Sequence, residues 1–72
     1  MKIQITNIES AIITKLEYDC TTRDMIIEYM SSVSYVYHEV EQSIIDSFIA
    51  AESKGKYINS IKNNYLNEKI EI

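Results

Sequence analysis

The 72-residue sequence contains no proline or tryptophan, and only one glycine (Gly55), one cysteine (Cys20) and one histidine (His38). A single thiol cannot close an internal bridge. The fold must therefore hold without a disulfide framework, which fits a reducing cytoplasm. One cysteine and one histidine provide no ligand set with metal-site spacing, so neither a metal nor a cofactor is expected. No glycine run resembles a phosphate loop. No stretch of about 18 apolar residues could span a bilayer, and no basic start followed by an apolar run marks a signal peptide, so no membrane partner is expected. Basic residues are also few: 7 against 11 acidic, a net charge of −4. A duplex-binding protein usually carries a strongly basic footprint, so duplex DNA is not an expected partner.

What is present is a thin core. A chain this short buries only about 60% of its unfolded surface, and self-association into a homodimer or higher homo-oligomer is the simplest added support. Fourteen isoleucines beside many Asn, Lys and Tyr residues suggest an AT-rich coding genome. Charge is unevenly spread. Residues 1–52 hold three basic and nine acidic side chains, a balance of −6, while residues 53–72 hold four basic and two acidic, a balance of +2. Only the C-terminal segment can offer a local anion site.

Hydrophobic periodicity divides the chain. Residues 10–18 alternate, with Ile12, Leu16 and Tyr18 on one face, and read as a strand. The polar run 19–24 reads as a hairpin loop, 25–30 as a second strand, Ser31-Ser32 as a turn and 33–38 as a third strand. From Val40 the period becomes helical: Val40, Ile44, Ile45, Phe48, Ile49 and Ala51 form an apolar stripe over about 40–52. Gly55 suits a left-handed helix cap or tight turn. A second helix follows, with Ile58, Ile61 and Tyr65 on one face. Residues 1–8 fit an edge strand, and the tail 67–72 is expected to be frayed or held in a dimer contact. The expectation is one α+β domain over 1–72: a three- to four-stranded antiparallel meander followed by two helices packed on one face.

Chemistry concentrates in two places. If Ser53 caps the second helix, the following amides point outward at a partly positive end, and Lys54, Gly55 and Lys56 complete an anion seat. The same residues also fit a solvated helix–turn–helix corner. Tyr35 and Tyr37, two apart, share one sheet face. They either stack a base or pack beneath a helix with their hydroxyls at the rim. Tyr57 and Asn59 can bond a ligand edge, and Asn59 can equally cap a turn. A catalytic Cys20–His38 pair would need a third orienting group, and the scattered acids form no general acid–base pair, so no enzyme activity is expected.

Ser10-Ala11-Ile12, Tyr18-Asp19, Tyr35-Val36-Tyr37, Val40, the run from Ala51 to Asn59, Ile61-Lys62 and Tyr65 together resemble the KTSC domain. That domain is named for its place at the C-terminus of some lysyl-tRNA synthetases, and it also occurs alone in bacteria and phages. Its Tyr-x-Tyr is matched by Tyr35 and Tyr37, and its Ser-x-Gly-x-Tyr-x-Asn run by Ser53, Gly55, Tyr57 and Asn59. Three positions depart from the family pattern: Ser31-Ser32 replaces a turn glycine, Glu41 a proline and Lys62 an arginine. The last keeps the charge but loses planar bidentate geometry. Attachment to a synthetase implies RNA. The expected function is therefore non-enzymatic binding of a nucleotide or single-stranded RNA phosphate, through the Ser53–Asn59 corner, Lys62 and the tyrosine face. Two alternatives stand beside it. One is a phage-type anti-defence protein that sequesters a nucleotide signal or masks a host protein, and the other is a structural assembly module.

Overall fold

Short polar turns fold the first half of the chain back on itself. Asp19 Oδ1 accepts from the amides of Thr21 at 2.8 Å and Thr22 at 3.4 Å, an aspartate turn that Arg23 closes in the left-handed region at φ 62°. The next turn is closed by Ser32 at φ 67°, whose amide donates to the Tyr29 carbonyl. Ser32 lies in the turn where the family resemblance calls for glycine. A side chain in that conformation costs about 1 kcal/mol.

The computed structural model describes residues 2–6, 8 and 10–70. The elements are β1 (Lys2–Ile5), β2 (Ile13–Asp19), β3 (Asp24–Tyr29), β4 (Ser34–Tyr37), α1 (Gln42–Ala50), α2 (Lys54–Ile61), a 3-10 turn (Lys62–Asn64) and β5 (Asn67–Ile70). The strands form one antiparallel sheet in the order β1-β2-β3-β4-β5, with both helices inserted between β4 and β5. This is the expected α+β class with one more strand. The N-terminal edge strand forms as β1, while Met1 and Asn7 lie outside the described residues.

The C-terminal tail corrects the expectation. Asn67–Ile70 is neither frayed nor free but pairs with β4, placing Asn67 opposite Tyr37 and Lys69 opposite Tyr35. Three of its four side chains are exposed, so its sequence carries no apolar alternation to read. Glu71 and Ile72 lie outside the described residues.

Register sorts the side chains. Ile3, Ile5, Leu16, Tyr18, Met25, Ile27, Tyr35 and Tyr37 share the helix-bearing face, while Gln4, Lys15, Glu17, Ile26, Glu28 and Val36 share the other. A bulge between Ile13 and Lys15 shifts the frame of β2. Ile13 therefore joins Leu16 and Tyr18 in the core, and Ile12, expected there by alternation, is only half-buried. Ile45, Phe48 and Ile58 supply the helical side of the same core, each burial contributing roughly 1.5–3 kcal/mol. Val40 precedes α1 and is pinned there: Tyr18 donates its hydroxyl to the Val40 carbonyl at 2.6 Å, and the Val40 amide donates to Arg23 at 2.9 Å. Ile49, at the far edge of the expected stripe, is 52% exposed.

Gly55 also differs from expectation. No described glycine has positive φ, and the chain turns between the helices through extended backbone at Ala51 and Ser53. Gly55 is the second residue of α2 and is buried. A Cβ there would stand 3.1 Å from both Ile12 Cγ1 and Ser10 Oγ. Ser10 Oγ is fixed by accepting from the amides of Ile12 and Ile13, so it yields poorly. Gly55 is thus required for close approach, not for a turn.

Gly55→Ala is expected to destabilise the domain by about 1 kcal/mol, because overpacking outweighs the helix-propensity gain. Chemical denaturation would check this, and a midpoint equal to or above that of the parent protein would contradict it.

Candidate functional site

Two short helices cannot cover a five-stranded face. The uncovered part is a cleft of about 640 Å³ whose floor is Tyr29, Tyr35 and Tyr37. Tyr29 and Tyr35 are diagonal neighbours across the β3–β4 hairpin and meet edge to face, centroids 6.1 Å apart at 84°. Tyr35 and Tyr37 lie 6.3 Å apart at 34°. The Tyr29 and Tyr37 hydroxyl oxygens are 2.6 Å apart and share a hydrogen bond. Burial raises both phenols above their ordinary value of 10.0, Tyr37 most strongly, with its bond to Tyr29 adding to the effect. Both are therefore neutral at physiological pH.

One wall is Ala11-Ile12. The 3-10 turn contributes Lys62 and Asn63, and β5 contributes Asn67 and Lys69. Among the described residues no carboxylate lines this cleft, although the chain is acidic overall. Neither Lys62 nor Lys69 is paired with an acid among the described residues. A smaller compartment of about 330 Å³ adjoins it, lined by Ser10, Glu52, Ser53, Gly55, Lys56 and Asn59, and it shares Ala11 and Ile12 with the first.

The expected binding residues thus divide. Tyr35, Tyr37 and Lys62 meet in the tyrosine cleft, while Ser53, Gly55, Lys56 and Asn59 border the second compartment. Ser53 does cap α2, its Oγ accepting from the Lys56 amide at 3.4 Å. Lys54 turns the other way: its Nζ donates to the carbonyls of Ile49 at 3.3 Å and Ala51 at 3.1 Å and lies 5.9 Å from the Phe48 ring centroid. That lysine closes the C-terminal end of α1. Tyr57, half-buried, donates to the Ile44 carbonyl at 3.4 Å. With Gly55 packed under Ser10 and Ile12, the corner is not a seat of open amides between two lysines.

Tyr29, Asn63, Asn67 and Lys69 escaped sequence reasoning. Tyr29 depends on register: a two-residue turn at Ser31-Ser32 would set it opposite Ser34 and away from Tyr35, whereas the actual hairpin sets it opposite Val33, one diagonal step from Tyr35. Asn67 and Lys69 depend on β5, which nothing in their local pattern reveals.

Cys20 and His38 keep separate partners. Cys20 Sγ donates to Gln42 Oε1 at 3.3 Å. His38 Nδ1 lies 2.9 Å from Asp24 Oδ1, and its Nε2 lies 3.9 Å from Glu68 Oε2. Among the described residues no group of three or more His, Cys, Asp or Glu is placed to hold a metal ion, and no helix is long and apolar enough to cross a membrane.

A five-stranded meander carrying two helices, with a tyrosine-floored cleft beside them, defines a class of small α+β domain. The sequence pattern of the KTSC domain matches residues 9–65, and this chain belongs to that family. A protein of Tsukamurella paurometabola is 32% identical over 54 residues, spanning 75% of this chain and 81% of its own. The crystal structure of a KTSC domain protein from Yersinia pestis superposes with a TM-score of 0.89 at 26% identity, covering 99% of this chain and all of the other.

The hydroxyl pair makes a stability prediction. Tyr29→Phe and Tyr37→Phe should each cost about 1 kcal/mol, and the double variant should cost clearly less than their sum. Denaturation of the three variants measures this, and strict additivity would mean that the two hydroxyls are not coupled.

Proposed function

We propose that this protein binds a nucleotide, free or within single-stranded RNA, without catalysing its turnover. The observation that carries the reading is the tyrosine cleft: an aromatic floor and two lysines, with no acidic partner or acidic lining among the described residues, in a chain of net charge −4. The base stacks against the half-buried Tyr35 ring, since every base presents a π-face. Lys62 and Lys69 hold the phosphate as mobile point charges, and the amides of Asn63 and Asn67 satisfy the polar edges of base or sugar. A volume of about 640 Å³ fits a small ligand. Acidic residues elsewhere disfavour non-specific adhesion to polyanions, which confines attraction to the cleft.

Titration with nucleoside monophosphates and short RNA oligomers, followed by tyrosine fluorescence, tests the proposal. Binding should weaken as salt rises. Removal of both lysines by Lys62→Ala and Lys69→Ala should weaken it by ~10-fold or more, charge-assisted bonds contributing about 1.5–3 kcal/mol each. Tyr35→Ala should cost about 1–3 kcal/mol of affinity. No response to any nucleotide or RNA at millimolar concentration, or affinity indifferent to salt and to both lysines, would refute it.

A further inference from the structure

The two compartments share one sill. Ala11 and Ile12 line both, with Lys62 and Asn63 on the larger side and Lys56 and Asn59 on the smaller. Lys56, Asn59 and Asn63 are spaced i, i+3 and i+7, so α2 and the turn that continues it carry them along one edge. From Lys56 to Asn63 that edge spans roughly 10 Å at the helical rise. This is well beyond the 3.4 Å between stacked bases of a duplex strand. Two nucleotides held on this edge would therefore be splayed across the sill and not stacked on each other, which is how single strands are read.

Resting on the nucleotide reading above, we infer that the site takes two linked nucleotides. One base enters the tyrosine cleft, the backbone crosses Ala11-Ile12, and the second nucleoside occupies the compartment bordered by Ser10, Ser53, Lys56 and Asn59. The lining chemistry differs on the two sides in the way this division requires. The larger side has two cations and, among the described residues, no acid, which suits a terminal phosphate. The smaller side is lined by both Lys56 and Glu52, one charge of each sign. A carboxylate rejects a second terminal phosphate but accepts hydrogen bonds from sugar hydroxyls or an exocyclic amine, while the Asn59 amide both donates and accepts at a base edge. Gly55 belongs to this arrangement because a side chain there would push the sill away from α2.

The test compares AMP with the 5′-phosphorylated dinucleotide pApA by calorimetry on the full chain. The dinucleotide is expected to bind at least ~10-fold tighter. Lys56→Ala and Asn59→Ala, each confirmed as folded by circular dichroism, should bring pApA affinity down toward that of AMP. Glu52→Gln should erode the preference for a nucleoside over a terminal phosphate on that side, seen as tighter binding of 3′-phosphorylated AMP. Equal affinity for AMP and pApA would overturn the two-nucleotide inference while leaving the nucleotide reading intact. If neither ligand bound, both would fall together. A dinucleotide advantage that survives Lys56→Ala and Asn59→Ala would place the second nucleotide elsewhere and overturn the inference.

Discussion

The shortfall of helix over sheet governs this domain. Five antiparallel strands present one broad face, and the segment between β4 and β5 returns only a nine-residue and an eight-residue helix to cover it. Ile45, Phe48 and Ile58 close the core over Leu16, Tyr18, Met25 and Ile27. Among the described residues neither helix extends over the end of the β3–β4 hairpin, where the tyrosine cleft opens. An uncovered sheet face must be wetted without exposing unpaired polar groups or large aliphatic patches. Tyrosine meets both needs, with an apolar body against the sheet and a hydroxyl toward water. Tyr29, Tyr35 and Tyr37 stand at this boundary, and the Tyr29–Tyr37 hydrogen bond lets the more buried phenol stay satisfied.

A second constraint sets the shape of the opening. Because Gly55 lacks a Cβ, α2 approaches the segment Ser10–Ile12 closely enough for its backbone to rest on Ile12 and Ser10. The Ser10 hydroxyl is itself held by the amides of Ile12 and Ile13. That contact converts what would be one open groove into two compartments with a common sill. The only glycine in the chain therefore does its work through the space it vacates, at ordinary helical backbone angles.

Much of this was legible in the sequence, for identifiable reasons. Period-two alternation in β2 and β4, polar turn residues at 19–24 and 31–32, and the change to helical spacing after Val40 are strong local signals, and each marks a real element. Ser53 was readable as a cap. The misreadings share a cause, since each depends on what lies across space. The β2 bulge exchanges Ile12 for Ile13 without any local mark. β5 is a strand because β4 offers it an edge, although Asn67-Glu68-Lys69-Ile70 has no alternation of its own. Gly55 looked like a turn residue because its crowding by Ile12 is invisible along the chain. Lys54 looked available for a ligand, yet the nearby carbonyls of Ile49 and Ala51 claim it. Tyr35 and Tyr37 are legible as a pair on one strand face, whereas Lys69 lies opposite Tyr35 only through the register of β5.

Charge gives the cleft its direction. The chain is acidic, yet the lysines around the opening, Lys62 and Lys69, have no acidic partner among the described residues, whereas Lys15 on the other face is bonded to Glu17 at 2.8 Å. The decisive measurement is a heteronuclear NMR titration of the labelled protein with AMP. Shift changes concentrated at Tyr29, Tyr35, Tyr37, Lys62 and Lys69 are the predicted result. Changes centred on the opposite sheet face around Ile26, Glu28 and Val36, or no changes at saturating nucleotide, would contradict it.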